Sequence, residues 1–87
     1  MNVKLQYTER FRREYQHLPR LVQEAVDRQL EQLLRNPRHP SLHFKRMQGT
    51  KKYWEVRATQ QYRIILETLG DTYLLYRVGP HDILNRL

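Results

Sequence analysis

Residues 53–78 read YWEVRATQQYRIILETLGDTYLLYRV. The stretch holds three strand-like runs of alternating, β-branched or aromatic residues: Tyr53 to Thr59, Tyr62 to Leu69 and Thr72 to Val78. A short polar connection, Thr59-Gln60-Gln61, separates the first two runs, and Gly70-Asp71 is typical of a tight turn between the last two. Because short connections join antiparallel neighbours, the stretch predicts an antiparallel meander.

The N-terminal third predicts one strand and two helices. Residues 3–7 alternate between apolar and polar side chains, as a short strand does. Thr8 is a good helix N-cap, and apolar residues follow it at spacings of four and three. Pro19 ends this helix and is tolerated in the first turn of the next one. The second helix has an apolar stripe and stops at Asn36-Pro37.

Together these elements predict an α+β fold in the order β-α-α-β-β-β, as one domain over residues 1–87. We expect the helical hairpin to cover one face of a twisted antiparallel sheet and to leave the other face open. Residues 38–52 show no clear period and are predicted to form a loop, with Leu42 to Phe44 as a candidate short strand.

Positive charge is concentrated in one segment of the chain. The sequence carries 16 Lys and Arg residues against 9 acidic residues, which gives a net charge of +7. No acid lies between Gln32 and Trp54, whereas six basic residues do: Arg35, Arg38, Lys45, Arg46, Lys51 and Lys52. Such an excess suits a polyanionic partner, which can be nucleic acid, an acidic protein or an anionic membrane surface.

The composition also excludes several classes of protein. Without cysteine, the chain has neither disulfides nor a thiolate metal site. No apolar run is long enough to cross a bilayer, and residues 1–10 lack the apolar core of a signal peptide. We therefore expect a soluble, cytoplasmic protein. His39 and His43 lie in a proline-containing loop with no acid close by in sequence, so no metal or other cofactor is expected.

The meander places polar groups on the open sheet face. Side chains alternate along a strand, so Trp54 and Val56 are expected in the core and Glu55 and Arg57 on the other face. Arg63 of the next strand can then lie near Arg57. Two arginines and a carboxylate beside a basic loop form a candidate phosphate site, because guanidinium groups match phosphate oxygens. The alternative is a cross-strand charge arrangement that only keeps the surface hydrated.

His81 is a candidate proton-transfer group. It follows Gly79-Pro80, which should end the last strand, and it precedes Asp82. Imidazole titrates near neutrality and can therefore donate or accept a proton. The alternative is an ordinary surface histidine near the C-terminus.

Four segments of this sequence carry a family resemblance. They are Met47-Gln48-Gly49 at the end of the basic loop, Tyr53-Trp54-Glu55-Val56-Arg57, Gln61-Tyr62-Arg63-Ile64-Ile65 and Val78-Gly79-Pro80-His81-Asp82. In their order and spacing, and over nearly its whole length, the chain resembles the RelE/ParE superfamily of toxins from toxin–antitoxin systems. The fold that this resemblance implies, two helices against an antiparallel sheet, agrees with the pattern described above.

The resemblance implies a catalytic site as well. RelE-like and YoeB-like members cut messenger RNA, generally on the ribosome and without a metal, by attack of a 2′-hydroxyl on the neighbouring phosphate. By similarity, Arg63 and Arg57 correspond to basic residues of that site, and His81 corresponds to a catalytic histidine, our candidate general acid. The resemblance also implies a basic loop that binds RNA or ribosomal phosphates: Lys45, Arg46, Lys51 and Lys52.

The sequence departs from that pattern at the general base. YoeB-like members take it from a glutamate in the loop before the meander, and this loop has no acid. Glu55 is the remaining candidate, although RelE-like members carry lysine at about that position. The chain also ends soon after His81, where several relatives carry further functional residues or a C-terminal helix.

Two other functions remain open at this point. One is a ParE-like inhibitor that binds DNA gyrase and has no nuclease chemistry. The other is a non-catalytic RNA-binding module, for which the sequence shows no evident aromatic stacking platform. Every toxin hypothesis implies a cognate antitoxin that wraps the basic chain, and promoter DNA bound only through the complex with that antitoxin.

Overall fold

The computed structural model describes residues 3–84, except for the side chain of Ile83. Along the chain, the helices and strands are β1 (Lys4–Tyr7), α1 (Glu9–Gln16), α2 (Arg20–Arg35), β2 (Lys45–Arg46), β3 (Trp54–Arg57), β4 (Tyr62–Leu69), β5 (Thr72–Pro80) and α3 (His81–Leu84). A 3-10 turn covers Pro40–Leu42. Across residues 3–84, no helix has the length and apolar character needed to cross a bilayer.

The five strands form one sheet in the order β1-β5-β4-β3-β2. The predicted meander is confirmed, because β3, β4 and β5 pair antiparallel in sequence order. The α+β class and the helical hairpin are also confirmed. The expectation of a wholly antiparallel sheet is wrong, because β1 pairs parallel with β5. Parallel neighbours need a long crossover connection, and α1 and α2 lie within the one that joins β1 to β5.

Both helices pack on one face of the sheet, as predicted. The main core cluster joins them to β3, β4 and β5: Phe11, Val26, Leu30, Leu33, Leu42, Val56, Ala58, Ile64, Leu66, Leu75 and Val78. Val56 is fully buried in this cluster, and Trp54 packs against the cluster. The strand faces were therefore correctly predicted for both residues.

The first turn of α1 ties this helix to the edge of β5. The predicted N-cap is confirmed, since Thr8 Oγ1 accepts a hydrogen bond from the Phe11 amide at 3.0 Å. The same hydroxyl donates to the carbonyl oxygen of Tyr76 at 2.8 Å. One turn later, Glu14 accepts from the Val78 amide at 3.1 Å and pairs with Arg77 at 2.6 Å. Helix α1 thus supplies hydrogen bonds to β5 beyond the end of β1.

The segment before β2 differs from the prediction. The candidate strand at Leu42 to Phe44 is wrong, because the 3-10 turn occupies Pro40–Leu42 and His43 has a left-handed conformation with φ of 46°. Proline suits the first turn of a helix, and the His39 ring accepts a hydrogen bond from the Ser41 amide at 3.1 Å. Leu42 is fully buried and anchors the turn to the core.

Candidate functional site on the open sheet face

Arg57 and Arg63 lie directly opposite each other on β3 and β4. Both side chains are partly buried. Burial lowers the pKa of Arg63, the neighbouring Arg57 lowers it further, and Glu55 acts in the opposite direction. Like charges placed opposite each other destabilise a sheet, and an anion bound between them removes that cost.

The protein holds the two guanidinium groups in different ways. Arg63 Nη1 donates to three backbone carbonyl oxygens, those of Thr59 at 2.8 Å, Gln60 at 3.0 Å and Tyr62 at 3.1 Å. These bonds fix both the turn between β3 and β4 and the orientation of the guanidinium group. Arg57 Nε is buried and has no hydrogen-bond partner within residues 3–84. An unpaired buried donor costs about 1–3 kcal/mol, so the site carries unused hydrogen-bonding capacity.

Glu55 lies beside the arginines. The sequence led us to expect it to be open to solvent, but it is mostly buried. Its side chain is 11% exposed, and Lys45, its cross-strand neighbour on β2, places Nζ 3.4 Å from the carboxylate. Within the described part of the chain, Glu55 is the only carboxylate that lines the groove above the arginines. The carboxylate therefore balances part of a cationic cluster.

His81 completes this groove. It begins α3 directly after Pro80, and its amide donates to the carbonyl oxygen of Gln61 at 2.8 Å, which ties it to the same turn that Arg63 holds. Its side chain is 44% exposed, with Nδ1 3.9 Å from Asp82 Oδ1. The groove has a volume of about 250 Å³ and is lined by His43, Phe44, Lys45, Glu55, Arg57, Arg63 and His81.

The structure thus gathers the four residues that we inferred to be catalytic, together with Lys45. His43 is an addition that the sequence did not single out for this site. Its proximity depends on the left-handed turn after the 3-10 helix, which no residue pattern predicted.

The remaining basic residues lie along the rim or farther away. Arg46 places its guanidinium carbon 5.1 Å from the centre of the Trp54 ring and lines an adjoining depression with Lys45. Lys52 lies 3.7 Å from the Glu67 carboxylate, which raises the pKa of that lysine. Lys51 is exposed, and neither it nor Lys52 lines the groove.

The open face also carries a stacked pair of tyrosines that the sequence analysis missed. The ring centres of Tyr53 and Tyr76 lie 5.0 Å apart, with an angle of 22° between their planes. Burial and the neighbouring Tyr76 raise the pKa of Tyr53. Alternation with Glu55 could have placed Tyr53 on this face. Tyr76 joins it at a β-bulge in β5, which has no sequence signature here.

The chain belongs to the family of ParE-like toxin domains. The family model matches residues 19–86, which include α2, the whole meander and every residue of the groove. No curated protein sequence matches the chain significantly.

Solved toxin structures share its fold. RelE in the RelB–RelE antitoxin–toxin complex of Methanococcus jannaschii superposes with a TM-score of 0.75 at 21% identity, covering 93% of this chain and 95% of that one. The intact RelBE complex of Escherichia coli gives a TM-score of 0.71 at 20% identity, with coverage of 90% and 95%. The E. coli DinJ–YafQ complex gives 0.75 at 15% identity, with coverage of 97% and 98%. At these identities the likeness establishes the fold.

Proposed function

We propose that this protein is the toxin of a type II toxin–antitoxin system and that it cleaves messenger RNA on the ribosome without a metal ion. One observation carries the proposal: Arg57, Arg63 and His81 share one groove on the open sheet face. In phosphate transesterification, two cations can stabilise the charge on the phosphate and an imidazole can transfer a proton. The membership in a toxin family supports the same conclusion.

In the proposed reaction the 2′-oxygen of a ribose forms a bond to the adjacent phosphorus, and the bond from phosphorus to the 5′-oxygen breaks. His81 donates a proton to the leaving 5′-oxygen. Arg57 and Arg63 stabilise the negative charge that develops on the phosphate oxygens. Glu55 is the candidate acceptor for the 2′-hydroxyl proton, and it must share its carboxylate between that proton and Lys45.

The proposed partners follow from charge and fold. The ribosome and its messenger RNA are polyanions, and a chain with a net charge of +7 is attracted to both in the cytoplasm. We also propose a cognate antitoxin with an acidic segment that wraps this toxin. Promoter DNA is contacted through the complex with that antitoxin.

Primer-extension mapping of messenger RNA from a translating extract tests the proposal. Wild-type protein is expected to produce new cuts that require ribosomes, and His81→Ala is expected to lose them. His17→Ala is the matched control, because His17 is the exposed residue directly after α1 and its ring bonds to the Arg13 carbonyl oxygen. Intact RNA with the wild-type protein would contradict the nuclease assignment.

Inhibition of DNA gyrase is the second candidate, and the state of Glu55 favours it. The only carboxylate lining the described groove is buried and paired with Lys45, so a free proton acceptor of that kind is missing. Inhibition of DNA supercoiling without RNA cuts would select this function.

A further inference from the structure

The stacked tyrosines lie on the same sheet face as the groove. Tyr53 comes two residues before Glu55 and four before Arg57, so alternation places all three side chains on this face. At the usual rise of a strand, Tyr53 and Arg57 are about 13 Å apart along β3. A short extended single strand of RNA can cover that distance.

The position of Tyr76 depends on an irregularity in β5. The register of β4 with β5 shifts between Ile65 and Leu66, so that Tyr76 is the extra residue of a bulge. Bulges redirect side chains, and here the Tyr76 ring reaches over β4 to meet Tyr53 from the far side. Ile65 of β4 is fully buried. Stacking covers one face of each ring, and both side chains remain partly exposed.

Basic side chains lie on two sides of the tyrosine pair. Lys52 Nζ lies 5.4 Å from the centre of the Tyr53 ring, and its side chain is 60% exposed. The same ammonium group pairs with the Glu67 carboxylate at 3.7 Å, so a phosphate at this point must share it with Glu67. Lys45 and the arginines lie on the other side, in the groove. Aromatic rings beside a track of positive charge are the arrangement by which proteins bind single-stranded nucleic acid, with a base stacked on the ring and the backbone held by cations.

We propose that Tyr53 and Tyr76 form a base-stacking platform, which holds a nucleobase of the RNA strand whose scissile phosphate binds at Arg57 and Arg63. The proposal rests on the nuclease function above and adds a subsite to it. A base stacked at this point fixes the register of the strand, so that the scissile phosphate is positioned by two contacts, one aromatic and one ionic. The subsite accepts any base, because every base has a π-face.

The test is single-turnover cleavage of a defined messenger RNA on purified ribosomes, at toxin concentrations below saturation. Tyr53→Leu keeps an apolar side chain at this position but removes the aromatic ring, and it is expected to slow cleavage by roughly 10- to 100-fold, as the loss of one stacking contact does. Tyr53→Phe and Tyr53→Trp are expected to cleave at close to the wild-type rate. Tyr7→Leu is the matched control, because Tyr7 is an exposed tyrosine on β1 that does not line the groove.

Abasic residues introduced one at a time beside the scissile phosphate separate stacking from structure. At the position that stacks, removing the base is expected to slow the wild-type protein and to leave Tyr53→Leu unchanged, so that the two rates converge. A Tyr53→Leu variant as fast as wild type would overturn the platform, and so would one that stays equally slower than wild type on every abasic substrate. A wild-type protein that cleaves nothing would instead show that the nuclease function itself has failed.

Discussion

At the scale of single residues, Arg57 and Arg63 place two positive charges opposite each other, which lowers the stability of the sheet. Both belong to the same cross-strand pair, but Arg63 is anchored by three backbone carbonyls, whereas Arg57 has a buried Nε without a partner in the described chain. Arg63 both supports the turn and lines the groove. Arg57 is held at a cost in stability that a bound anion would lower.

Arg57→Gln is therefore expected to abolish RNA cleavage and to raise the free energy of unfolding by up to about 1 kcal/mol, since it removes a like-charge contact. Arg63→Gln is the comparison variant. It is expected to lose RNA cleavage and to have a free energy of unfolding lower by about 1–3 kcal/mol, because the hydrogen bonds from Arg63 to the turn disappear. Urea unfolding of both variants measures the difference. An equal loss of stability in the two variants would contradict our inference that Arg63 supports the fold and Arg57 does not.

At the scale of elements, α1 is attached to the sheet by an ion pair as well as by apolar packing. The Arg77 side chain is 9% exposed and pairs with Glu14 through two nitrogens, while the other carboxylate oxygen accepts from the Val78 amide. These contacts span the distance from the first helix to the last strand. They hold in place the part of β5 that leads directly into His81.

Glu14→Ala is expected to lower the free energy of unfolding by about 3–5 kcal/mol, because it leaves a buried guanidinium group without its partner. Glu9→Ala on the same helix is the control, since Glu9 is 87% exposed and its pair with Arg13 is 3.9 Å long. Surface substitutions of that kind change stability by about 0.5 kcal/mol or less. Thermal unfolding of the two variants compares them, and similar melting temperatures would show that the ion pair contributes little.

The sequence predicted most elements because each has a local cause. Alternation marked β1 and the meander, Thr8 capped α1, and Pro19 separated the two helices. The parallel pairing of β1 and the turn at Pro40–Leu42 depend on long-range packing, which periodicity does not report.

The candidate site was predictable to a similar extent. Alternation and one short connection were sufficient to bring Arg57 opposite Arg63. The burial of Glu55 was not predictable, because it depends on Lys45 arriving from another strand. The Tyr53–Tyr76 stack was missed because it needs a bulge in β5.

At the scale of the whole molecule, the two faces of the sheet differ in character. One face is closed by α1 and α2 over the apolar core. The other face presents the arginine groove, His81 and the stacked tyrosines, on a chain with a net charge of +7. In the function that we propose, the overall charge attracts a long RNA strand to this face, and a few contacts position the strand on it.

The most direct test of this account is the chemistry of the RNA ends. The purified protein is added to a translating extract, and mass spectrometry of the resulting fragments identifies the chemical groups at their ends. Attack by the 2′-hydroxyl predicts a 2′,3′-cyclic phosphate on the upstream fragment and a 5′-hydroxyl on the downstream fragment. Fragments that carry 5′-phosphates, or the absence of any new fragment, would contradict the mechanism that we propose for Arg57, Arg63 and His81.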